Sequence, residues 1–184
     1  MRIVGGSLSG RVLRAPKGAA TRPTSEKVRE AVFQILAGKV EVAGAQVLDL
    51  FAGSGAIGIE ALSRGAAHVT FVDSAGGAVA AIRSNLATLG LAEHATVLVG
   101  DAVALAARHV PPAPWQLVLV DPPYASELAT RAVLALPRTS LAPEPVIVIE
   151  HDRRNAPPES LGSLLRTDQR RYGDTLVSFY EERA

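Results

Sequence analysis

Val47-Leu48-Asp49-Leu50-Phe51-Ala52-Gly53-Ser54-Gly55-Ala56-Ile57-Gly58 is the stretch that decides the fold class. An apolar, strand-like run over 46–51 meets glycines at 53, 55 and 58, and helical spacing follows over 57–64. This is G-x-G-x-x-G at a strand-to-helix turn, where glycines let the backbone bend tightly and let a ligand approach main-chain N–H groups. The glycines alone would suit a dinucleotide equally well. Asp49, four residues before the first glycine, tells the two apart. A carboxylate there attracts a ligand bearing an ammonium group and repels a pyrophosphate. The methionine part of S-adenosylmethionine carries such an ammonium.

Outward from this turn, short apolar runs at 69–73, 96–99, 117–121 and 145–150 alternate with helical stretches at 78–89, 102–109 and 127–136. Unbroken apolar strands separated by helices predict a mostly parallel sheet with helices on both faces. The end of the chain differs. Runs 164–172 and 175–181 are joined by Gly173-Asp174, a hairpin turn pair, so the last strand is expected to run antiparallel. The expected fold is therefore α/β and Rossmann-like, with a seven-stranded sheet.

Upstream, β-like pieces at 2–4 and 11–14 flank Gly5, Gly6 and Gly10, which predicts a mobile hairpin. A helix over 24–38 follows, capped by Thr24 or Ser25. Val28, Ala31, Val32, Ile35 and Leu36 recur at helical spacing, and Gly38 is the stop. Glu26, Lys27, Arg29 and Glu30 are expected on its outer, solvated face. The division is thus an arm over 1–20 and one domain over 21–184.

Further carboxylates close later strands. Asp73 can accept both hydroxyls of a ribose, and Asp101, beside Ala102, can accept from an adenine amine. Each alone is more often a helix cap or turn residue. Three aspartates at the carboxyl ends of successive strands instead mark the ligand crevice of an open α/β sheet. The fourth strand ends in Asp121-Pro122-Pro123-Tyr124. An acidic side chain, a proline carbonyl and an aromatic ring suit a planar base bearing an NH₂ group. Asp121 and the Pro122 carbonyl can accept both amine hydrogens, and Tyr124 can stack on the ring. His68, His94, His109 and His151 are scattered without metal-ligand spacing, so no metal site is expected. Trp115, ahead of a strand, reads as packing.

The composition sets outer bounds. The 184 residues suffice for one substantial domain, and the absence of cysteine excludes disulfides, thiolate metal sites and a cysteine nucleophile. No stretch approaches the roughly 20 apolar residues of a membrane span, and no secretory signal is evident, so a cytoplasmic protein is expected. The net charge is only +1, yet Arg2, Arg11, Arg14, Lys17 and Arg22 crowd the first segment, as in an arm that touches phosphates. Such an arm would be separable from a cofactor site.

Taken together, these residues resemble class I S-adenosylmethionine-dependent methyltransferases, and more narrowly the RsmD family. The narrower likeness rests on Arg2-Ile3-Val4-Gly5-Gly6 with Gly10-Arg11, on Thr21-Arg22-Pro23-Thr24-Ser25-Glu26-Lys27-Val28-Arg29-Glu30-Ala31-Val32-Phe33, on Glu60-Ala61-Leu62-Ser63-Arg64-Gly65, and on Asp121-Pro122-Pro123-Tyr124. The resemblance implies methylation of the N2 amine of a guanine in small-subunit (16S) ribosomal RNA, free or in an assembling subunit, by a monomer. It implies a cofactor site of Asp49, Phe51, Gly53, Ser54, Gly55, Asp73, Asp101 and Ala102, and a catalytic tip of Asp121, Pro122 and Tyr124. Ser74-Ala75-Gly76-Gly77, where relatives carry charged residues, is a departure. Three rivals stand beside this reading. An adenine-N6 methyltransferase shares the Asp-Pro-Pro-Tyr tip, a nicotinamide dehydrogenase would use the glycines, and a non-catalytic ribosome-assembly factor would use the basic arm.

Overall fold

The computed structural model describes residues 1–16, 25–123 and 127–182. Five parallel strands form one side of the sheet: β1 (Gln46–Leu50), β2 (His68–Asp73), β3 (Ala95–Val99), β4 (Trp115–Val120) and β5 (Leu141–Asp152). β6 (Ser160–Leu161), β7 (Leu164–Tyr172) and β8 (Thr175–Glu182) extend it antiparallel, giving eight strands in the order β3-β2-β1-β4-β5-β8-β7-β6. The expected seven-stranded sheet gains one strand. β6 is two residues long and turns back onto β7 through Gly162 at φ 63°, so it is too short to show any periodicity. β5 also begins earlier than position 145, at Leu141, despite Pro143 and Pro145.

Helices α1 (Glu26–Leu36), α2 (Ala56–Ser63) and α3 (Gly76–Leu89) cover one face, and α4 (Ala102–Arg108) and α5 (Leu128–Ala135) the other. Val47, Phe71, Leu119 and Val148 point into the first layer; Leu48, Val72, Val118 and Ile147 point into the second. This alternation follows from the strand period of two with both faces buried. The sheet order reverses between β1 and β4, where the chain crosses from one side to the other. In open α/β sheets ligands bind outside the carboxyl ends of the strands at such a switch point.

The first helix is shorter than the expected 24–38. It starts after Ser25, whose side chain accepts the Val28 N–H, while Thr24 lies outside the described residues. Its buried stripe is Val28, Arg29, Val32, Phe33 and Leu36, so the expectation of an outward Arg29 is corrected. Arg29 is 0% exposed and faces the equally buried Glu60, its Nε 3.9 Å from Glu60 Oε2, while Nη2 donates to the Arg2 carbonyl. A buried guanidinium is tolerated only with such partners. Burial lowers its pKa, with Glu60 and Glu26 opposing the shift.

Glu60 is also what docks the N-terminal hairpin. Its two oxygens accept the Val4 and Gly5 N–H groups at 2.9 and 2.7 Å, and Arg64 holds Oε1 at 3.0 Å. Arg2 pairs with Val12 across the hairpin, and Ile3 and Leu13 are buried in the α1–α3 layer. The hairpin is packed on the domain, where a mobile one was expected. A side chain at Gly6 (φ 77°) would put Cβ 1.9 Å from the Ser63 carbonyl oxygen, which explains the glycine there.

Candidate active site

The carboxyl ends of the strands open into a cleft of about 810 Å³, within the range typical of small-molecule sites. β1 delivers Asp49 and then Phe51, which takes a left-handed φ of 60° at the bend. A bulky residue there costs on the order of 1–3 kcal/mol, a strain that the surrounding packing must offset. Gly53 and Gly55 follow at φ 56° and 75°, and Gly55 caps α2. At Gly58 a Cβ would lie 2.4 Å from the Phe71 ring and 2.7 Å from Asp49 Oδ2, so only glycine lets α2 lie this close to β1 and β2.

Asp49 is 1% exposed and lines the cleft. Its Oδ2 accepts the Gly58 N–H at 3.1 Å, whereas its Oδ1 is buried with no hydrogen-bond partner among the described residues. Burial pushes the carboxyl up to about 8, the Gly58 N–H opposing and the nearby Asp73 adding to the shift. An orphaned acceptor on a residue that lines a cleft fits a donor arriving with a ligand, as an ammonium group does. Asp73, at the end of β2, ties the glycine turn to the helix start: Oδ2 accepts from Gly53 N and Oδ1 from Ala75 N, both at 2.8 Å. Asp101 caps α4 through Ala104 N at 2.8 Å and lines the cleft beside Ala102, so capping and cleft positions coincide. Phe51, Gly53 and Ser54 line it too, and Gly55 stands just behind them, buried.

Across the switch point, Asp121, Pro122 and Pro123 follow β4 and line the same cleft; Tyr124 lies outside the described residues. His151 also lines the cleft, with Nε2 2.8 Å from Ser178 Oγ and Nδ1 2.8 Å from the Asp152 carbonyl, and burial lowers its pKa. Trp115 is a core residue, 1% exposed and stacked on His109. Arg2, Arg11 and Arg14 are exposed on the hairpin and are not among the residues that line the cleft, and Lys17 and Arg22 lie outside the described residues.

Several contributions escaped sequence reasoning, among them Glu150 near the end of β5. Met1, Ala15 and Pro16, the two ends of the hairpin, line the cleft. Asn85, 2% exposed on α3, bridges them to the glycine turn: it accepts from Arg14 N at 2.9 Å and donates to the Arg14 and Ser54 carbonyls at 3.0 and 3.2 Å. Its only sequence trace is a polar residue on the helix face of Ile82 and Leu86.

A doubly covered sheet whose strand order reverses beside a glycine turn, with a buried carboxyl below that turn and an Asp-Pro-Pro tip on the adjacent strand across the switch point, is the arrangement of a class I methyltransferase. Residues 1–181 match the family model described as Conserved hypothetical protein 95, and the chain belongs to this family, that of the RsmD ribosomal RNA methyltransferases. It is similar over its full length to YlbH of Bacillus subtilis, provisionally named an rRNA methyltransferase, with 42% identity over 186 residues and 100% of both chains covered. Ribosomal RNA small subunit methyltransferase D of Escherichia coli is 38% identical over 159 residues, covering 86% of this chain and 78% of that one. Among solved structures, yhhF from Escherichia coli, provisionally named a methyltransferase, superposes with a TM-score of 0.86 at 35% identity, covering 100% of this chain and 98% of that one.

Proposed function

We propose that the chain transfers a methyl group from S-adenosylmethionine to the exocyclic N2 amine of a guanine in 16S ribosomal RNA, within an assembled or assembling small subunit. It acts as a cytoplasmic monomer. The observation that carries this reading is one cleft lined both by the buried Asp49 of β1, whose Oδ1 has no hydrogen-bond partner among the described residues, and by Asp121 and Pro122 at the end of the adjacent β4. When bound, S-adenosylmethionine supplies an electrophilic methyl group: the N–C bond forms as the S–C bond breaks, and the sulfonium becomes a neutral thioether.

The protein's part is chiefly proximity and alignment. Asp49 holds the ammonium through Oδ1, Asp73 the ribose hydroxyls, and Asp101 the adenine edge. Asp121 and the Pro122 carbonyl accept the two amine hydrogens. That pair favours the pyramidal amine, whose lone pair is otherwise delocalised into the ring. The surplus proton leaves to Asp121 or to water. By the family resemblance Tyr124 stacks on the base, and Arg2, Arg11, Arg14, Lys17 and Arg22 contact RNA phosphates.

The test separates an enzyme from a binding module. Asp121→Ala should cut methyl transfer at least a hundredfold while S-adenosylhomocysteine affinity, measured by calorimetry, stays within a few-fold. Full activity in that variant would refute the mechanism, and tighter binding of NAD than of S-adenosylmethionine would refute the class of reaction.

A further inference from the structure

The cleft has two halves. The glycine turn, Asp73 and Asp101 form one; the ends of β4 and β5 and the β7–β8 hairpin form the other, through Asp121, Glu150, His151, Asp152 and Tyr172. The cleft is marked as a ligand site independently of its acidic residues' number, because Asp49, which lines it, has its Oδ1 buried without a hydrogen-bond partner among the described residues. On the proposed reading the cofactor takes the first half and the target base the second.

The second half is rich in acceptors. No lysine or arginine is among the described residues that line the cleft. His151 has both ring nitrogens engaged, by Ser178 and the Asp152 carbonyl. Asp152 is committed to Arg154 N and to the backbone and side chain of Asn155. No group of three or more metal-ligating side chains stands among the described residues, so the acidic character does not describe a cation cage. Glu150 is the carboxylate that stands next to Asp121. Val120 of β4 pairs with Ile149 of β5, so Asp121 and Glu150 are the next residues on adjacent parallel strands. Continuing the alternation of Leu117 and Leu119, and of Val146 and Val148, both fall on the α1–α3 face. They also line one crevice there, with Ile57 and Val177.

Two adjacent carboxylates match one base edge. Guanine presents contiguous donors, N1–H and the N2 amine. Adenine and cytosine present an amine next to a ring nitrogen with a lone pair, which a carboxylate repels. We propose that Glu150 determines guanine specificity: its carboxylate accepts the N1–H of the target base while Asp121 accepts from the N2 amine. A site built to accept a particular N–H leaves a buried polar group unpaired when that N–H is missing, and so discriminates strongly.

This inference rests on the guanine-N2 reading, and its test keeps the two apart. RNA substrates carry either guanine or 2-aminopurine at the target position. 2-Aminopurine keeps the N2 amine but has a lone pair at N1. The wild-type kcat/KM should favour guanine at least tenfold. Glu150→Gln, whose amide can donate to that lone pair, should lose at least tenfold on guanine and level or invert the preference. Glu150→Ala should lose on guanine and leave 2-aminopurine within a few-fold, so either variant suffices should the other fail to fold. Retained S-adenosylhomocysteine affinity identifies intact protein. Equal losses on both substrates would reduce Glu150 to a supporting residue and overturn the inference. A wild-type enzyme inactive on guanine RNA would instead remove the function on which it rests.

Discussion

Asp49 lines the cleft but is held out of water, with one oxygen bonded to Gly58 and the other without a hydrogen-bond partner among the described residues, and burial pushes its carboxyl up to about 8. The raised value has a sign. The native protein holds this proton at pH values where the unfolded chain has lost it, so the stability it contributes is present at acid pH and is lost as pH rises through about 8. A bound ammonium favours the ionised form. Below that pH, cofactor binding must therefore expel a proton, and affinity should rise by up to about tenfold per pH unit before levelling off. Calorimetric titration of S-adenosylhomocysteine between about pH 6 and pH 9 checks this, with Asp49→Asn expected to bind more weakly and without the slope. A flat wild-type profile would remove Asp49 from the ammonium site. That Asp49, Asp73 and Asp121 come together along one cleft was legible in the sequence, because each stands at the end of a strand of obvious period. That Asp73 is spent largely on Gly53 and Ala75 was not, because those contacts depend on how the turn folds back.

At the scale of elements, the N-terminal hairpin and α2 form one unit with the glycine-turn half of the cleft. Glu60 holds Val4 and Gly5, Asn85 joins Arg14 to Ser54, and the hairpin's two ends line the cleft. Deletion of residues 1–17 should therefore weaken S-adenosylhomocysteine at least tenfold in addition to weakening RNA. Unchanged cofactor affinity in the truncated protein would restore the simpler picture of a separable arm. Gly6→Ala places a methyl group on the Ser63 carbonyl at a left-handed φ, and should destabilise the fold by roughly 1–3 kcal/mol in denaturant titration. A neutral outcome would mean that the hairpin docks loosely. The basic character and glycines of this segment were readable in the residues. Its docking was not, since the Arg29–Glu60 pair that fixes it joins positions far apart in sequence and looks, locally, like two solvated charges.

Across the whole molecule, the five parallel strands and their helices follow from apolar period and glycine turns, both of which are plain in the residues themselves. The extra strand β6 and the early start of β5 were hidden, one by its two-residue length and the other by prolines that usually interrupt strands. Sheet order then shapes the site. By reversing between β1 and β4, it brings the glycine turn and the Asp121 tip, which end two adjacent strands, to the lining of one cleft. The central claim is that this cleft brings a methyl donor to the N2 amine of a guanine in small-subunit RNA. The direct measurement is labelled-methyl transfer by the purified protein to small subunits from a strain lacking the enzyme, followed by digestion to nucleosides. The account predicts label in N2-methylguanosine; label in N6-methyladenosine, or none in the RNA, would contradict it.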